Sequence, residues 1–250
     1  METRVDEPIF CRAALLSCTG RYRDSLSAYS ERDPGQHIRP TDLAAWAFTL
    51  NRTGRFREAL SRCQEALSLD SQCTDAWFVR GLTFYYLGRY DEAIDSLNMT
   101  LLYDPTHAEA WYIKGNCLYQ QEKTEEAVPC YEKVLAIDPG SPKALYNRGV
   151  ALADLGDYSK ALLSYDACIA ENPDLGIVWT NKGVALAALG KYEESVEAFD
   201  TALHSNPSDV WALNNKGLSL GKLGRDREAA EALGKAREMA HLKPFGRQVW

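Results

Sequence analysis

Apolar residues in this chain fall on short stripes at helical spacing, and the stripes repeat. Trp77, Gly81 and Phe84 are separated by four and then three residues, as are Trp111, Gly115 and Leu118, and Trp179, Gly183 and Leu186. That spacing places three side chains on one face of an α-helix. The stripes end on Leu87-Gly88, Leu155-Gly156, Leu189-Gly190 and Leu223-Gly224, with Gly20 and Gly54 in matching slots. Glycine just past a helix accepts the left-handed cap that other residues resist. Two residues later an aromatic (Tyr22, Phe56, Tyr90, Tyr158 or Tyr192) opens a second helix, with acids such as Asp91-Glu92 and Glu193-Glu194 behind it. Acids in a first turn complement the helix macrodipole. The second helix is predicted to start near Tyr90, to bury Ala93 against the first, and to stop before Asp104-Pro105, because proline cannot continue it. Each period thus reads as an antiparallel helical hairpin, too small to hold a core alone.

The period is 34 residues. Gly81, Gly115, Gly149, Gly183 and Gly217 keep that step, as do Pro105, Pro139, Pro173 and Pro207, and a small residue at Ala59, Ala93, Ala127, Ala161, Ser195 and Ala229. Numbering each unit 1 to 34 gives units 6–39, 40–73, 74–107, 108–141, 142–175, 176–209 and 210–243, with a tail at 244–250. Position 4 is a large apolar anchor throughout: Ile9, Leu43, Trp77, Trp111, Leu145, Trp179 and Leu213. Glycine at position 8 lowers helix propensity by about 1 kcal/mol against alanine, so it implies close helix packing. Gly149 is expected to face Ala161 across the hairpin.

The chain resembles the tetratricopeptide repeat (TPR) family. The W-x2-L-G-x2-Y, A-x3-F and P pattern is matched most fully from Trp77 to Pro105 and from Trp111 to Pro139, and the resemblance covers about residues 6–243. It implies an all-α fold, a right-handed solenoid of stacked hairpins. The pentatricopeptide array is the nearest alternative, but its unit is a residue longer and RNA readers are usually basic. Departures are local. Repeat 1 (6–39) has Ser25 for the helix B alanine and Arg32 at a core slot, and its helix is expected to stop early at Asp33-Pro34-Gly35. The fourth turn, Gln121 to Thr124, lacks both glycine and tyrosine, and the last unit has Asp226 for the tyrosine and no closing proline.

Composition narrows the function. The chain has 250 residues, 46% hydrophobic and 25% charged, with a formal charge of −7. That charge argues against nucleic acid or an anionic membrane as partner, since either needs a basic stripe. No 18-residue apolar run is present, and the polar start, Met1 to Pro8, does not read as a signal peptide. Seven cysteines (Cys11, Cys18, Cys63, Cys73, Cys117, Cys130 and Cys168) form no C-x-x-C pair, so neither a disulfide nor a zinc framework is expected. Cys63 and Cys168 read as small buried hydrophobes. The cytoplasm is the expected compartment, and the sequons at Asn51 and Asn98 are taken as chance matches. The four histidines (His37, His107, His204 and His241) show no ligand spacing, and no catalytic motif occurs. No enzyme activity, cofactor or metal is expected.

In the TPR family the first helices line a concave groove at positions 2, 5, 6, 9, 12 and 13. The resemblance therefore implies a groove built from Phe48, Asn51 and Arg52, then Phe78, Leu82, Tyr85 and Tyr86, then Tyr112, Asn116 and Tyr119. Beyond these it carries Asn147, Asn181 and Asn215. An asparagine amide has both donor and acceptor, and a row of them can hold an extended backbone, as in the TPR region of the O-linked N-acetylglucosamine transferases. The alternative is that Asn and Tyr at these slots orient neighbouring helices. A carboxylate clamp is absent: Asn116 and Asn147 occupy its asparagine slots, but Tyr112, Ile177 and Asn181 stand where cations are needed. Arg80, Lys114, Arg148, Lys182 and Lys216 at position 7 are expected to cover the helix interface with their stems. The resulting expectation is a non-enzymatic adaptor that binds an extended peptide or helix of another protein; the rival is a scaffold that self-associates through its array ends. Leu242, Phe245, Val249 and Trp250 are expected to fold back over the last unit or to enter a neighbour's groove, beside an exposed Trp211.

Overall fold

The computed structural model describes residues 19–31 and 38–242. Among them are thirteen helices and no strand. In order these are α1 (Tyr22–Ser30), α2 (Pro40–Arg52), α3 (Phe56–Leu69), α4 (Thr74–Tyr86), α5 (Tyr90–Tyr103), α6 (Ala108–Gln120), α7 (Thr124–Ile137), α8 (Pro142–Asp154), α9 (Tyr158–Glu171), α10 (Gly176–Ala188), α11 (Tyr192–Ser205), α12 (Val210–Lys222) and α13 (Asp226–Leu242). They fall into two compact bodies, one ending at Glu122 and one beginning at Lys123. Within each body the two helices of a repeat pack on each other, the second helix packs on the first helix of the next repeat, and successive first helices touch.

The turn inside each hairpin explains why the period is strict. After α4, Gly88 N–H donates to the Tyr85 carbonyl at 3.0 Å and Arg89 N–H to the Phe84 carbonyl at 2.9 Å. This is a Schellman cap, and it needs a left-handed residue at the glycine. Gly88 has φ +70°, and Gly54, Gly156, Gly190 and Gly224 are likewise positive. The fourth repeat keeps the same turn without glycine: Glu122 has φ +62° and donates to the Tyr119 carbonyl at 3.0 Å.

Inside the hairpin, position 8 does not meet the helix B alanine in the way the sequence suggests. A Cβ added at Gly149 would lie 2.5 Å from the Tyr165 ring; at Gly183 the neighbour is Phe199, at Gly81 Leu97 and at Gly217 Leu233. These partners stand one turn beyond the alanine. A helical side chain leans toward its own N-terminus and covers the preceding turn, so the ring of Tyr165 lies over the crossing while Ala161 is fully buried beneath it. At Gly81 and Gly217 the alanine contributes only its carbonyl oxygen, from Ala93 at 3.2 Å and Ala229 at 3.3 Å.

The tryptophans at position 4 do more than fill space. The indole N–H groups of Trp77, Trp111 and Trp179 donate at 2.9 Å to the carbonyls of Ser71, Pro105 and Pro173 in the loop before their own helix. The first repeat is short at its second helix: α1 stops at Ser30, with Ser25 fully buried in the alanine slot. Arg32, Asp33, Pro34 and Gly35, and the predicted first helix of that repeat, lie outside the described residues. At the other end α13 lacks a proline at the repeat position and runs for 17 residues to Leu242, and Phe245, Val249 and Trp250 of the tail lie outside the described residues.

Two stability predictions follow from this backbone. Alanine is favoured over glycine in a helix interior by about 1 kcal/mol, but at Gly149 the buried Tyr165 ring blocks the new Cβ, and overpacking costs about 1–3 kcal/mol. Gly149→Ala is therefore expected to lower the melting temperature, while Gly221→Ala, where a Cβ meets nothing within 4 Å, is expected to raise it. Thermal and urea melts that show both variants stabilised would refute the crossing. Left-handed backbone costs an ordinary residue about 1 kcal/mol, so Glu122→Gly is expected to stabilise the chain by up to about 1 kcal/mol in the same melts.

Candidate functional site

In the body ending at Glu122, the first helices α2, α4 and α6 lie side by side. Phe48, Phe78, Tyr85 and Tyr112 are half-buried and pack against one core cluster that includes Leu82, Phe84, Leu97 and Ile113. Burial pushes the Tyr85 phenol up from its ordinary value, with Cys117 and Tyr112 as lesser neighbours. Phe78 also lies 4.5 Å from the His107 ring. Tyr119 is half-buried at the end of α6, whereas Tyr86 is exposed at 43%.

Three of the expected groove residues are inside the packing. Leu82 and Asn116 are buried. Asn51 is buried too, and its Nδ2 donates to Thr83 Oγ1 at 2.8 Å and to the Val79 carbonyl at 3.4 Å, so it ties α2 to α4. Leu82 and Asn116 at position 9, and Asn51 at position 12, thus lie in the packing, while Phe48, Phe78, Tyr85, Tyr86, Tyr112 and Tyr119 carry the accessible aromatic surface of this body.

Arg52 is exposed at the end of α2, with its guanidinium 5.4 Å from the centre of the Tyr22 ring. The neighbouring Tyr22 phenol, and then that of Tyr86, raise its pKa further above the ordinary arginine value. Tyr86 in turn lies 6.0 Å from Phe56 and 5.9 Å from Tyr85. Four aromatic side chains and one cation thus gather where α2 and α4 end.

The asparagines of the other body are arranged differently. Asn181 donates through Nδ2 to the Tyr146 hydroxyl at 3.1 Å, linking α10 to α8, and burial raises the Tyr146 phenol. Asn215 donates to the Trp211 carbonyl of its own helix at 2.8 Å. Asn147 is half-buried on α8. Trp211 and Leu218 on α12 are each 56% exposed.

The cations at position 7 belong to the framework. Lys182 reaches Asp166 at 2.7 Å and stacks 4.9 Å over Trp179; Lys216 pairs with Asp200. Arg80 and Lys114 sit about as close over Trp77 and Trp111, at 5.1 and 5.2 Å. Arg148 donates to Ser164 at 3.0 Å. Acids at the starts of second helices face a cation three residues earlier, as in Arg55–Glu58 at 2.5 Å and Arg225–Glu228 at 2.6 Å, and these arginines hold Glu58 and Glu228 below the usual carboxylate range. In the fifth repeat the pair is reversed, Asp157 with Lys160 at 2.7 Å.

No group of three or more His, Cys, Asp or Glu among the described residues is placed to hold a metal ion, and none of the described helices is long and apolar enough to cross a membrane. Cys63, Cys73, Cys117, Cys130 and Cys168 are free thiols and buried; burial pushes Cys63 up to about 12. Sequence reasoning missed Thr83, Thr180 and Ser219 as helix-to-helix bonding groups. Thr180 reaches Asp209 at 3.1 Å, and Ser219 meets Ser195 at 3.0 Å. The only advance signal for the last pair is a serine in the alanine column.

Comparison with known proteins agrees with this architecture. Sequence profiles of the tetratricopeptide repeat match residues 49–101, 80–142, 115–178 and 177–209. The chain belongs to the tetratricopeptide repeat family, whose fold is a protein-interaction module, generally non-catalytic. No curated protein matches it by sequence. Among solved structures it is similar to YrrB, described as a TPR protein with an unusual peptide-binding site, at TM-score 0.66 and 22% identity over 78% of this chain and 97% of that one. It is also similar to a MamA protein, at TM-score 0.65 and 21% identity over 71% and 97%, and to MamA from Desulfovibrio magneticus RS-1, at TM-score 0.66 and 22% identity over 69% and 97%. At such identities the likeness is one of fold.

Asn51→Ala removes a buried bond between α2 and α4 and is expected to destabilise the chain by about 1–2 kcal/mol in urea melts. If melts of Asn51→Ala and the parent superimpose, the amide is not a structural tie.

Proposed function

We propose that this chain is a non-enzymatic adaptor that holds an extended peptide or a helix of a partner protein on the first helices of its repeats. The observation that carries the reading is the run of partly exposed aromatic side chains (Phe48, Phe78, Tyr85, Tyr86, Tyr112 and Tyr119) on three successive first helices of one body. Aromatic residues with an apolar body and a polar tip are favoured anchors of interfaces. Arg52 at the end of α2 supplies the one cation of this group. YrrB, a similar fold, has a peptide-binding site, which supports the assignment by analogy. Asn147, Asn181 and Asn215 serve as secondary polar contacts; Asn181 and Asn215 are held in place by their Nδ2 bonds to Tyr146 and Trp211.

The net charge of −7 favours a protein partner over nucleic acid or an anionic membrane. Five buried free thiols suit a reducing compartment such as the cytoplasm. A second reading, a scaffold that self-associates through the array ends, is favoured by exposed Trp211 and Leu218 at the end of the described array.

Peptides selected from a displayed random library against the intact chain are expected to bind less tightly, by about tenfold, to Tyr86→Ala and to Tyr112→Ala. Titration calorimetry reads the loss, and far-UV circular dichroism checks that helicity is kept. Tyr86 is exposed, so its truncation leaves the core intact. Selected peptides that bind both variants at the parent affinity would remove the aromatic face from the function. Concentration-dependent sedimentation of the parent would favour the scaffold.

A further inference from the structure

At the hairpin turns of this body, the arginine at position 16 is neutralised by an acid of its own second helix. Arg21 pairs with Asp24 at 2.8 Å, Arg55 with Glu58 at 2.5 Å, and Arg89 with Glu92. Arg52 is placed differently. It is the last residue of α2, it is exposed, and among the described residues no carboxylate forms an ion pair with it.

Its neighbours are phenols. The guanidinium carbon lies 5.4 Å from the centre of the Tyr22 ring, and the phenols of Tyr22 and Tyr86 both act on it. A neutral phenol leaves the charge of the arginine uncompensated, and its hydroxyl can donate as well as accept. Stacking on a ring occupies the flat face of a guanidinium and leaves the N–H groups of its edge to bond elsewhere. The placement has a register: position 13 of one repeat meets position 17 of the repeat before it. Arg52 meets Tyr22 in this way, and Tyr86 meets Phe56 at 6.0 Å. Arg52 is thus a single charge set between aromatic rings.

This chemistry selects a ligand. A guanidinium edge with two hydroxyls beside it matches the two coplanar oxygens of a carboxylate. A phosphate carries about two negative charges at neutral pH and calls for more than one cation. Residues 19–31 and 38–65 hold seven arginines against five acids, a positive surplus in a chain whose formal charge is −7. That surplus draws an acid to this part of the surface. The aromatic face adjoins it, since Tyr86 lies 5.9 Å from Tyr85. Phe78 stands seven residues before Tyr85 on α4, about 10 Å along the helix, which an extended peptide covers in about three residues.

We propose that Arg52, with the hydroxyls of Tyr22 and Tyr86, is an anion subsite for the side-chain carboxylate of an Asp or Glu in the bound peptide. An apolar residue about three positions away in that peptide then reaches Phe78. The assignment rests on the peptide-binding reading above and adds an acidic residue to the ligand.

Peptides selected from a displayed random library against the intact chain are expected to share an acid about three positions from an apolar residue. Resynthesised with both ends blocked, they are expected to lose about fivefold in affinity when the acid is replaced by its amide. Arg52→Met is expected to cause the same loss. On that variant the acid-to-amide change is expected to cost nothing further, a non-additivity that titration calorimetry reads. A purely structural arginine would instead weaken acid and amide peptides equally. Tyr22→Phe and Tyr86→Phe keep the rings, and each is expected to lose about twofold. Selected peptides without a shared acid, or equal weakening of acid and amide peptides by Arg52→Met, overturn the subsite. Binding that needs an unblocked C-terminus overturns the side-chain assignment. If Tyr112→Ala still weakens the peptides in these cases, the aromatic face stands without the subsite. Parent affinity for Tyr112→Ala as well, or a library that enriches no peptide, removes both.

Discussion

Everything in this fold depends on how closely the two helices of one hairpin approach. Glycine at position 8 removes a side chain where a ring or leucine from the second helix must lie, as at Gly149 under Tyr165 and Gly183 under Phe199. Glycine weakens its own helix by about 1 kcal/mol, and the fully buried rings, each touching many atoms at van der Waals distance, offset this through apolar burial. The small residue at position 20 serves the same contact from beneath. Once the hairpin is closed, its two helices present a joint surface to the next repeat, and the rest of the array follows from stacking that surface.

Helix boundaries were legible in the sequence because they rest on backbone chemistry that few residues can perform. A left-handed cap asks for glycine and a helix stop asks for proline; accordingly α5 runs from Tyr90 to Tyr103 with Gly88 before it and Pro105 after it. The partner across the crossing was not legible. Periodicity marks both Ala161 and Tyr165 as inward, but which one covers Gly149 depends on the backward lean of helical side chains. Glu122 shows the converse: the sequence loses its glycine signal while the backbone keeps the left-handed turn.

The surface was less readable than the core, for a related reason. An asparagine at a groove position looks the same in sequence whether its amide meets solvent or another helix. Asn51 bonds Thr83, and Asn181 bonds Tyr146. Polar residues half-way into a seam are stabilised by a specific partner, and that partner lies about one repeat away, at a distance no local pattern encodes. The aromatics at positions 5, 9 and 12 are easier, since their size alone prevents full burial at the edge of a seam. Phe48, Tyr85 and Tyr112 divide themselves between core and solvent accordingly.

The ties that cross from one repeat to the next have a consequence for how such a chain can change over generations. Lys182 holds Asp166 of the preceding repeat, Lys216 holds Asp200, and Trp179 holds the carbonyl of Pro173. Each tie joins a fixed position of one repeat to a fixed position of its predecessor. Duplication or loss of a whole 34-residue segment therefore recreates every tie at the new junction, because the incoming repeat presents the same donor to the same acceptor. An insertion of one or two residues inside a helix rotates the donor off its stripe by about 100° per residue and breaks them together. The array is thus free to lengthen or shorten only in whole periods, with intermediate lengths confined to the loops.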